Sequence, residues 1–461
     1  MVSDDTVDSG SASGIASIAP TRRGWLRTAA VGSLGAALGL GGQGTATASG
    51  DERRGPPPRA TPQTTLGVET LLDERVELLD GDRLGLITNP SGVDSSLTPT
   101  IDRLYEHDAF DLRKLFSPEH GIRGNAEAGE GVDDTIDEKT GLPVFSLYGD
   151  TRQLQPEMIE DVDAVLFDIQ DVGVRFYTYI YDIARSLETI GQTDKRFVVL
   201  DRPNPIAPLP VTGSRIDDEN ASGIGDYRLP IIHGMTVGEI AQYFNDEFDF
   251  GADLEIVRMR GWNRGMWYDE TGLPFVPPSP NMPTTETATI YPGMVYFEAT
   301  THSEGRGTTK PFEYVGAPWI DGQEWADALN DLGLPGVRFR PVWFEPTFDD
   351  HEGENVSGVQ THVVDRSSAQ PVRVGLAMLV SAFLGYPESE WLSWGDTYAI
   401  DTRANGSELR ETIDEAEPST DPLALADQIR SGWEDDIDEF RDVRDPHLLY
   451  DDRWRGRRNG N

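Results

Sequence analysis

The chain has 461 residues, and its 80 Asp and Glu against 39 Lys and Arg leave a formal net charge of −41. A charge of that sign repels phosphate and argues against a nucleic-acid partner, while the absence of Cys excludes disulfides, thiolate metal sites and lipid attachment through sulfur. Lysine occurs only at Lys114, Lys139, Lys195 and Lys310, and the acid is spread along the whole chain. The charge therefore reads as adaptation to near-saturated salt, where screening relieves self-repulsion.

The chain opens with an address. Thr21-Arg22-Arg23-Gly24-Trp25-Leu26-Arg27 is a twin-arginine pattern, followed by an Ala/Gly/Leu-rich stretch and by Ala46-Thr47-Ala48, a small-residue cleavage pattern. Residues 1–48 are predicted to be an export signal, and the protein is expected outside the cell or at its surface. The apolar stretch is too short and too rich in Gly for a membrane span. Residues 49–65, rich in Arg, Pro and Thr without apolar period, read as a flexible linker.

From Leu66 onward short β-rich runs alternate with amphipathic ones. Strands are predicted at Leu84–Thr88, Arg113–Phe116, Ala164–Asp168, Phe197–Asp201, Pro230–Ile232 and Leu254–Arg258. Helices are predicted at Ser96–Glu106, Thr178–Ile190 and Thr236–Phe248, the last opening on a capping box of Thr236 and Glu239. Strands apolar at successive positions are those covered by helices on both faces. Residues 66–282 are thus read as a doubly wound, Rossmann-like α/β domain. The composition changes around Pro277–Pro283, and 283–461 are read as a smaller α+β domain with a cleft between the two. That domain opens with a β-rich, aromatic stretch at Ala288–Ala299, and continues with a strand at Val359–Val364, an apolar helix at Val374–Phe383 and an acidic tail.

In doubly wound sheets ligands sit beyond the carboxyl ends of the strands. The residues there are Asn89-Pro90-Ser91-Gly92, Glu119-His120-Gly121, Asp168-Ile169-Gln170-Asp171, Asp201-Arg202-Pro203-Asn204 and His233-Gly234. Glu119 and Glu304 are the leading carboxylates, because each stands in a polar loop beside Gly and glycoside hydrolysis commonly uses two carboxyl groups. The plainer alternatives are a helix cap or an ion pair, with Arg123 for Glu119 and with Arg306 for Glu304. Asp168 is a third catalytic candidate or a helix cap. Gln170 and Asp171 are candidates for sugar hydroxyls, and Arg175, Arg202 and Arg306 for a substrate carboxylate or for ordinary ion pairs. Tyr177 suits a sugar platform or a core aromatic, and Asn89 a ligand contact or an Asn-Pro turn. His120, His233 and His302 lack metal-ligand spacing, no G-x-G-x-x-G follows a strand, and no G-x-S-x-G occurs, so neither metal nor nicotinamide cofactor is expected.

These segments resemble one family, the exo-acting β-N-acetylmuramidases of the NamZ type. The likeness runs from about Leu66 to Tyr450 and rests on Leu86–Val93, Phe116–Gly121, Phe167–Tyr179, Asp201-Arg202-Pro203-Asn204-Pro205, Gly234-Met235-Thr236, Pro278–Pro283, Tyr291-Pro292-Gly293 and Glu304–Thr308. The resemblance implies a Rossmann-like domain without dinucleotide, a C-terminal domain and release of N-acetylmuramic acid from cell-wall glycan. It places the motif carboxylates on Glu119 and Glu304 with Asp168 nearby. Asn89, His120, Gln170, Asp171, Arg175, Tyr177, Arg202, Asn204, Asn281 and Arg306 are the expected substrate contacts. Val356 stands where relatives often carry Cys. A non-catalytic glycan-binding protein and a glycosidase for a different exopolysaccharide sugar are the alternatives, and the sequence does not set the oligomeric state.

Overall fold

Six runs rich in Val, Ile, Leu and Phe lie side by side in parallel and frame the computed structural model, which describes residues 64–118, 121–122, 134–147, 153–395 and 397–451. In chain order the first half contributes α1 (Gly67–Glu74), β1 (Arg83–Thr88), α2 (Thr100–Tyr105), β2 (Asp111–Ser117), β3 (Thr135–Ile136), β4 (Pro143–Ser146) and β5 (Ala164–Asp168). It continues with α3 (Tyr179–Ile190), β6 (Arg196–Leu200), β7 (Thr212–Arg215), β8 (Pro230–Ile232), α4 (Val237–Glu247) and β9 (Asp253–Val257). The main sheet has seven strands in the order β3-β4-β2-β1-β5-β6-β9, parallel except for the short edge strand β3. The chain moves outward from β1 through β2 to β4, then outward the other way from β5 through β6 to β9. The order reverses between β1 and β5, and open parallel sheets take ligands at such a reversal.

Both faces of this sheet are covered, which is why its strands are apolar at successive positions. Ile87, Val165, Phe167, Phe197 and Val199 face a core shared with α3 and α4. Leu84, Leu86, Ala164, Leu166, Val198 and Leu200 face a second core shared with α1 and α2. The capping box of α4 forms as the sequence predicts: Glu239 N donates to Thr236 Oγ1 at 3.2 Å, and Thr236 N donates to Glu239 Oε2 at 2.9 Å. The helix expected from Ser96 begins only at Thr100, because Asp94 accepts from the amides of Ser96 and Thr98 and holds a tight turn ahead of Pro99.

The second half contributes α5 (Thr285–Met294), β10 (Tyr314–Ala317), α6 (Gly322–Asp331), β11 (Val337–Phe344), β12 (Val356–Val363) and α7 (Pro371–Gly385). It closes with the hairpin β13 (Ser393–Trp394) and β14 (Thr397–Tyr398), then α8 (Ala399–Ala404), α9 (Glu408–Asp414), α10 (Pro422–Ser431) and α11 (Glu434–Arg444). Strands β10, β12 and β11 make a three-stranded antiparallel sheet.

Two expectations need correction. Ala288–Ala299 is helical, comprising most of α5 and a 3-10 turn at Val295–Ala299. Thr284 caps it by accepting from Thr287 N, and nearly every position of the segment is buried, so no amphipathic period marks it as a helix. Pro230–Ile232 is a strand but stands outside the main sheet, paired antiparallel with β7. A three-residue apolar run carries no sign of which sheet it joins. No helix of the described residues is long and apolar enough to cross a membrane.

Candidate functional site

The carboxyl ends of β1 and β5 are tied together by buried polar side chains. Asn89, just past β1, donates through Nδ2 to Pro278 O at 3.0 Å and accepts through Oδ1 from the Ser91 amide at 2.9 Å. It closes a local turn and tethers the Pro278 loop. Asp168 ends β5 and is fully buried. Its Oδ1 accepts from Arg202 Nε at 2.5 Å, and its Oδ2 accepts from Arg202 Nη2 at 2.8 Å and from Thr100 Oγ1 at 2.5 Å. Arg202 also donates to Val93 O at 2.8 Å. The catalytic candidate Asp168 and the substrate-clamp candidate Arg202 are thus each other's partner. A bidentate pair this deep cross-links the strand ends, and neither oxygen of Asp168 is left to face a sugar.

The turn after β5 is different. Gln170 donates through Nε2 to Asp171 O and Pro203 O, both at 2.7 Å, while its buried Oε1 has no partner among the described residues. Asp171 accepts from Gly173 N through Oδ2 at 2.6 Å, and its Oδ1 is buried and unpartnered in the same sense. Gly173 has φ of 83°, and a Cβ there would come within 2.4 Å of Asn204 Oδ1, so both conformation and space demand Gly. Asn204 itself donates to Met235 O at 2.9 Å and accepts from Ile206 N at 3.0 Å, which makes it a loop brace.

Burial pushes the Asp171 carboxyl up to about 7. Its neighbour is His233, whose Nε2 lies 3.9 Å from Asp171 Oδ2. His233 Nδ1 accepts from Met235 N at 3.2 Å, which assigns the ring proton to Nε2, and burial lowers the imidazole to about 3, so the ring is neutral. That Nε2 has no hydrogen-bond partner among the described residues. Two acceptors and one donor are therefore left without partners among the described residues, which is the polar character of a ligand subsite. Sequence reasoning places His233 at a strand end and weighs it as a metal candidate, without naming it a substrate contact. Its place after β8 was visible, but its approach to Asp171 depends on how the β7–β8 pair folds over the sheet.

Arg175 is fully buried and donates to Ser214 O at 3.0 Å, to Leu229 O at 3.2 Å and to Arg403 O. With no carboxylate beside it, burial lowers the guanidinium to about 10. It pins β7 and β8 to the end of α8 rather than presenting a fork to solvent. Tyr177 packs edge-on against Tyr179 at 5.3 Å and Tyr291 at 6.3 Å. Asn281 keeps a buried Nδ2 without a partner among the described residues.

The second centre is Glu304, on the loop leading to β10 and only 1% exposed. Its Oε1 accepts from Arg306 Nη1 at 2.7 Å. Burial pushes the carboxyl up to about 7, with Arg306 opposing that rise and the nearby Glu298 adding to it. Arg306 lies over the Phe312 ring at 5.0 Å, Phe312 meets Tyr291 edge-on at 4.7 Å, and Tyr291 meets Tyr177. This aromatic layer connects the Glu304 loop to the turn that carries Asp171. His302 is buried between Thr300 and Ser389, and burial lowers it to about 3. Among the described residues no group of three or more His, Cys, Asp or Glu is placed to hold a metal ion. Glu119 and His120 lie outside the described residues.

Comparison with known proteins shows the family. Residues 84–286 match the family model for the N-terminal part of exo-β-N-acetylmuramidase NamZ, and residues 289–450 match the model for its C-terminal part. The chain is 46% identical over 390 residues, covering 84% of this chain and 92% of the relative, to the peptidoglycan β-N-acetylmuramidase NamZ of Bacillus subtilis strain 168. A crystal structure of a DUF1343 family protein from Bacteroides fragilis superposes with a TM-score of 0.77 at 35% identity, covering 85% of this chain and all of that one. A second from the same organism gives 0.65 at 28% identity, with 85% and 99% covered. By the extent of both matches, the chain belongs to the NamZ exo-β-N-acetylmuramidase family.

Proposed function

We propose that this protein is an exo-acting glycoside hydrolase that releases terminal N-acetylmuramic acid from peptidoglycan fragments. The observation that carries the reading is Glu304: a carboxyl held by Arg306 and pushed by burial up to about 7, so that it holds a proton near neutral pH. Protonating the leaving oxygen of a glycosidic bond requires such a group. Glu119, two residues beyond the end of β2 in the sequence, is the second carboxylate in this reading, acting as base or nucleophile. Gln170 Oε1, Asp171 Oδ1 and His233 Nε2 offer two acceptors and a donor to the hydroxyl and acetamido groups of the sugar. Asp168 and Arg202 hold the ends of the strands in register beneath them.

The same proposal includes the finer architecture. Residues 66–282 form a doubly wound, Rossmann-like domain, 283–461 a smaller α+β domain, and the sugar enters between them. Its support is the reversal of strand order between β1 and β5 and the change of family model between residues 286 and 289. Export by the twin-arginine route rests on Thr21–Arg27, and salt adaptation rests on the charge of −41.

The test is hydrolysis of chromogenic β-N-acetylmuramic acid and β-N-acetylglucosamine substrates by the mature protein in molar KCl. Selective cleavage of the muramic substrate is expected, with kcat of Glu304→Gln lower by about 10³-fold. Equal cleavage of both sugars, or an active Glu304→Gln protein, would sink the assignment.

A further inference from the structure

Glu304 does not have Arg306 to itself. While Arg306 Nη1 donates to Glu304 Oε1 at 2.7 Å, Nη2 of the same guanidinium donates to Glu298 Oε1 at 2.5 Å. Glu298 Oε2 in turn accepts from Arg403 Nη2 at 2.9 Å. Arg403 is anchored from the other side, donating through Nη1 to Ala399 O at 3.0 Å and lying over the Trp394 ring at 5.6 Å. Two carboxylates and two guanidiniums thus alternate in one row from the Glu304 loop, through the 3-10 turn after α5, to α8. Asp349 stands at the edge of the row, 3.8 Å from Arg306 Nη1. Among the described residues, the groups that face Glu304 are Arg306, Glu298 and Asp349, with Arg403 reaching it through Glu298 and Tyr291 facing Arg306.

We propose that Glu298 is a positioning residue for the Glu304 centre: clamped by Arg403, it draws Arg306 partly away from Glu304 and thereby sets how firmly Glu304 holds its proton. The proposal rests on reading Glu304 as the reacting carboxyl. Its physical basis is that a guanidinium shared by two carboxylates stabilises each anion less than one serving a single partner. The two acids also repel one another. Burial alone would raise the Glu298 carboxyl, yet Arg306 and Arg403 together hold it below the usual range, so Glu298 is the member that stays ionised. Glu304, with one guanidinium contact and two acidic neighbours among the described residues, is the member that titrates near neutral pH. Nothing in the sequence announces this. Glu298 sits in a segment that reads as strand, and Arg403 lies 105 residues away.

The row makes a prediction with a definite sign. Glu298→Gln keeps the shape, removes the competing charge and leaves Arg306 to Glu304, so Glu304 should titrate about one pH unit lower. Glu298→Asp, which restores the charge at shorter reach, should recover part of the wild-type value. Two readouts follow the shift: the pH profile of kcat/KM on the chromogenic muramic substrate, and the 13C carboxyl resonance of Glu304 in protein labelled at glutamate, assigned with Glu304→Gln. The resonance needs no turnover. If it moves as expected while the wild type cleaves nothing, the inference stands and the muramidase reading fails. A Glu304 resonance that titrates alike in the wild type and in folded Glu298→Gln overturns the inference. Should Glu298→Gln not fold, a Glu304 resonance that titrates in Glu298→Ala as it does in the wild type does the same.

Discussion

Three buried carboxyl groups of this protein differ only in what faces them. Asp168 receives both arms of Arg202 and a hydroxyl, Glu304 receives one shared guanidinium, and Asp171 receives backbone amides and no cation. The difference has a consequence for stability. Folding raises the Glu304 carboxyl from its ordinary 4.5 to about 7, which corresponds to about 3 kcal/mol between the two protonation states. Because the folded value is the higher one, the contribution favours the native state below pH 4.5 and is lost as pH climbs through about 7. Glu304→Gln removes the titration. Its thermal midpoint should match the wild type at pH 4 and exceed it at pH 8, by at most about 3 kcal/mol in unfolding free energy. A variant that loses stability relative to wild type between those two pH values would contradict the account. Much at this scale was legible in advance, since Glu304 with Arg306 and Asp168 with Arg202 all stood out as charged residues in polar loops. The sequence names the pairing of Glu304 with Arg306 as an alternative, and what was not legible is the pairing of Asp168 with Arg202. Asp168 and Arg202 are separated by 34 residues and meet only because β5 and β6 lie side by side.

Among the secondary-structure elements, α5 shows most directly how packing overrides local preference. It is rich in Thr with an aromatic and an internal Pro, and its sequence has strand character. It is helical because it lies against α7 almost backbone to backbone: a Cβ on Gly375 would come 2.1 Å from Gly293 O. Helix propensity alone would make Gly375→Ala stabilising by about 1 kcal/mol. The crowding instead predicts a loss of about 3 kcal/mol, as for other overpacked interior contacts. The urea midpoint decides between them by its sign, and a Gly375→Ala protein as stable as wild type would show that the two helices have room to separate. Since α5 leads directly into Glu298, that variant should also lower activity more than a remote destabilising change does. By contrast, α4 was predicted nearly to the residue, because a capping box and an amphipathic run are local signals that tertiary contacts here reinforce.

At the level of the whole molecule the governing quantity is the net charge of −41. The Debye length shortens from about 10 Å at 0.1 M salt to about 3 Å at 1 M, so the mutual repulsion of surface carboxylates collapses over that range. The thermal midpoint should rise by about 10 °C or more between 0.1 M and 2 M KCl. A midpoint indifferent to KCl would mean that the acid is neutralised within the fold and would remove the argument for salt adaptation. The short strands β3 and β4 carry too few residues to show a pattern, but by itself the sequence marked β1, β2, β5, β6 and β9 of the main sheet, the capping box of α4 and the family motifs. All of these are written in runs of neighbouring residues, where hydrophobic period, turn chemistry and motif spacing act. Only the tertiary structure decided that Pro230–Ile232 leaves the main sheet, that Ala288–Ala299 is helical, that Asp168 is engaged by Arg202, and that Glu298 and Arg403 stand behind Glu304. Those choices depend on which surfaces meet, and burial, close packing and charge pairing act across distances along the chain that no local pattern records.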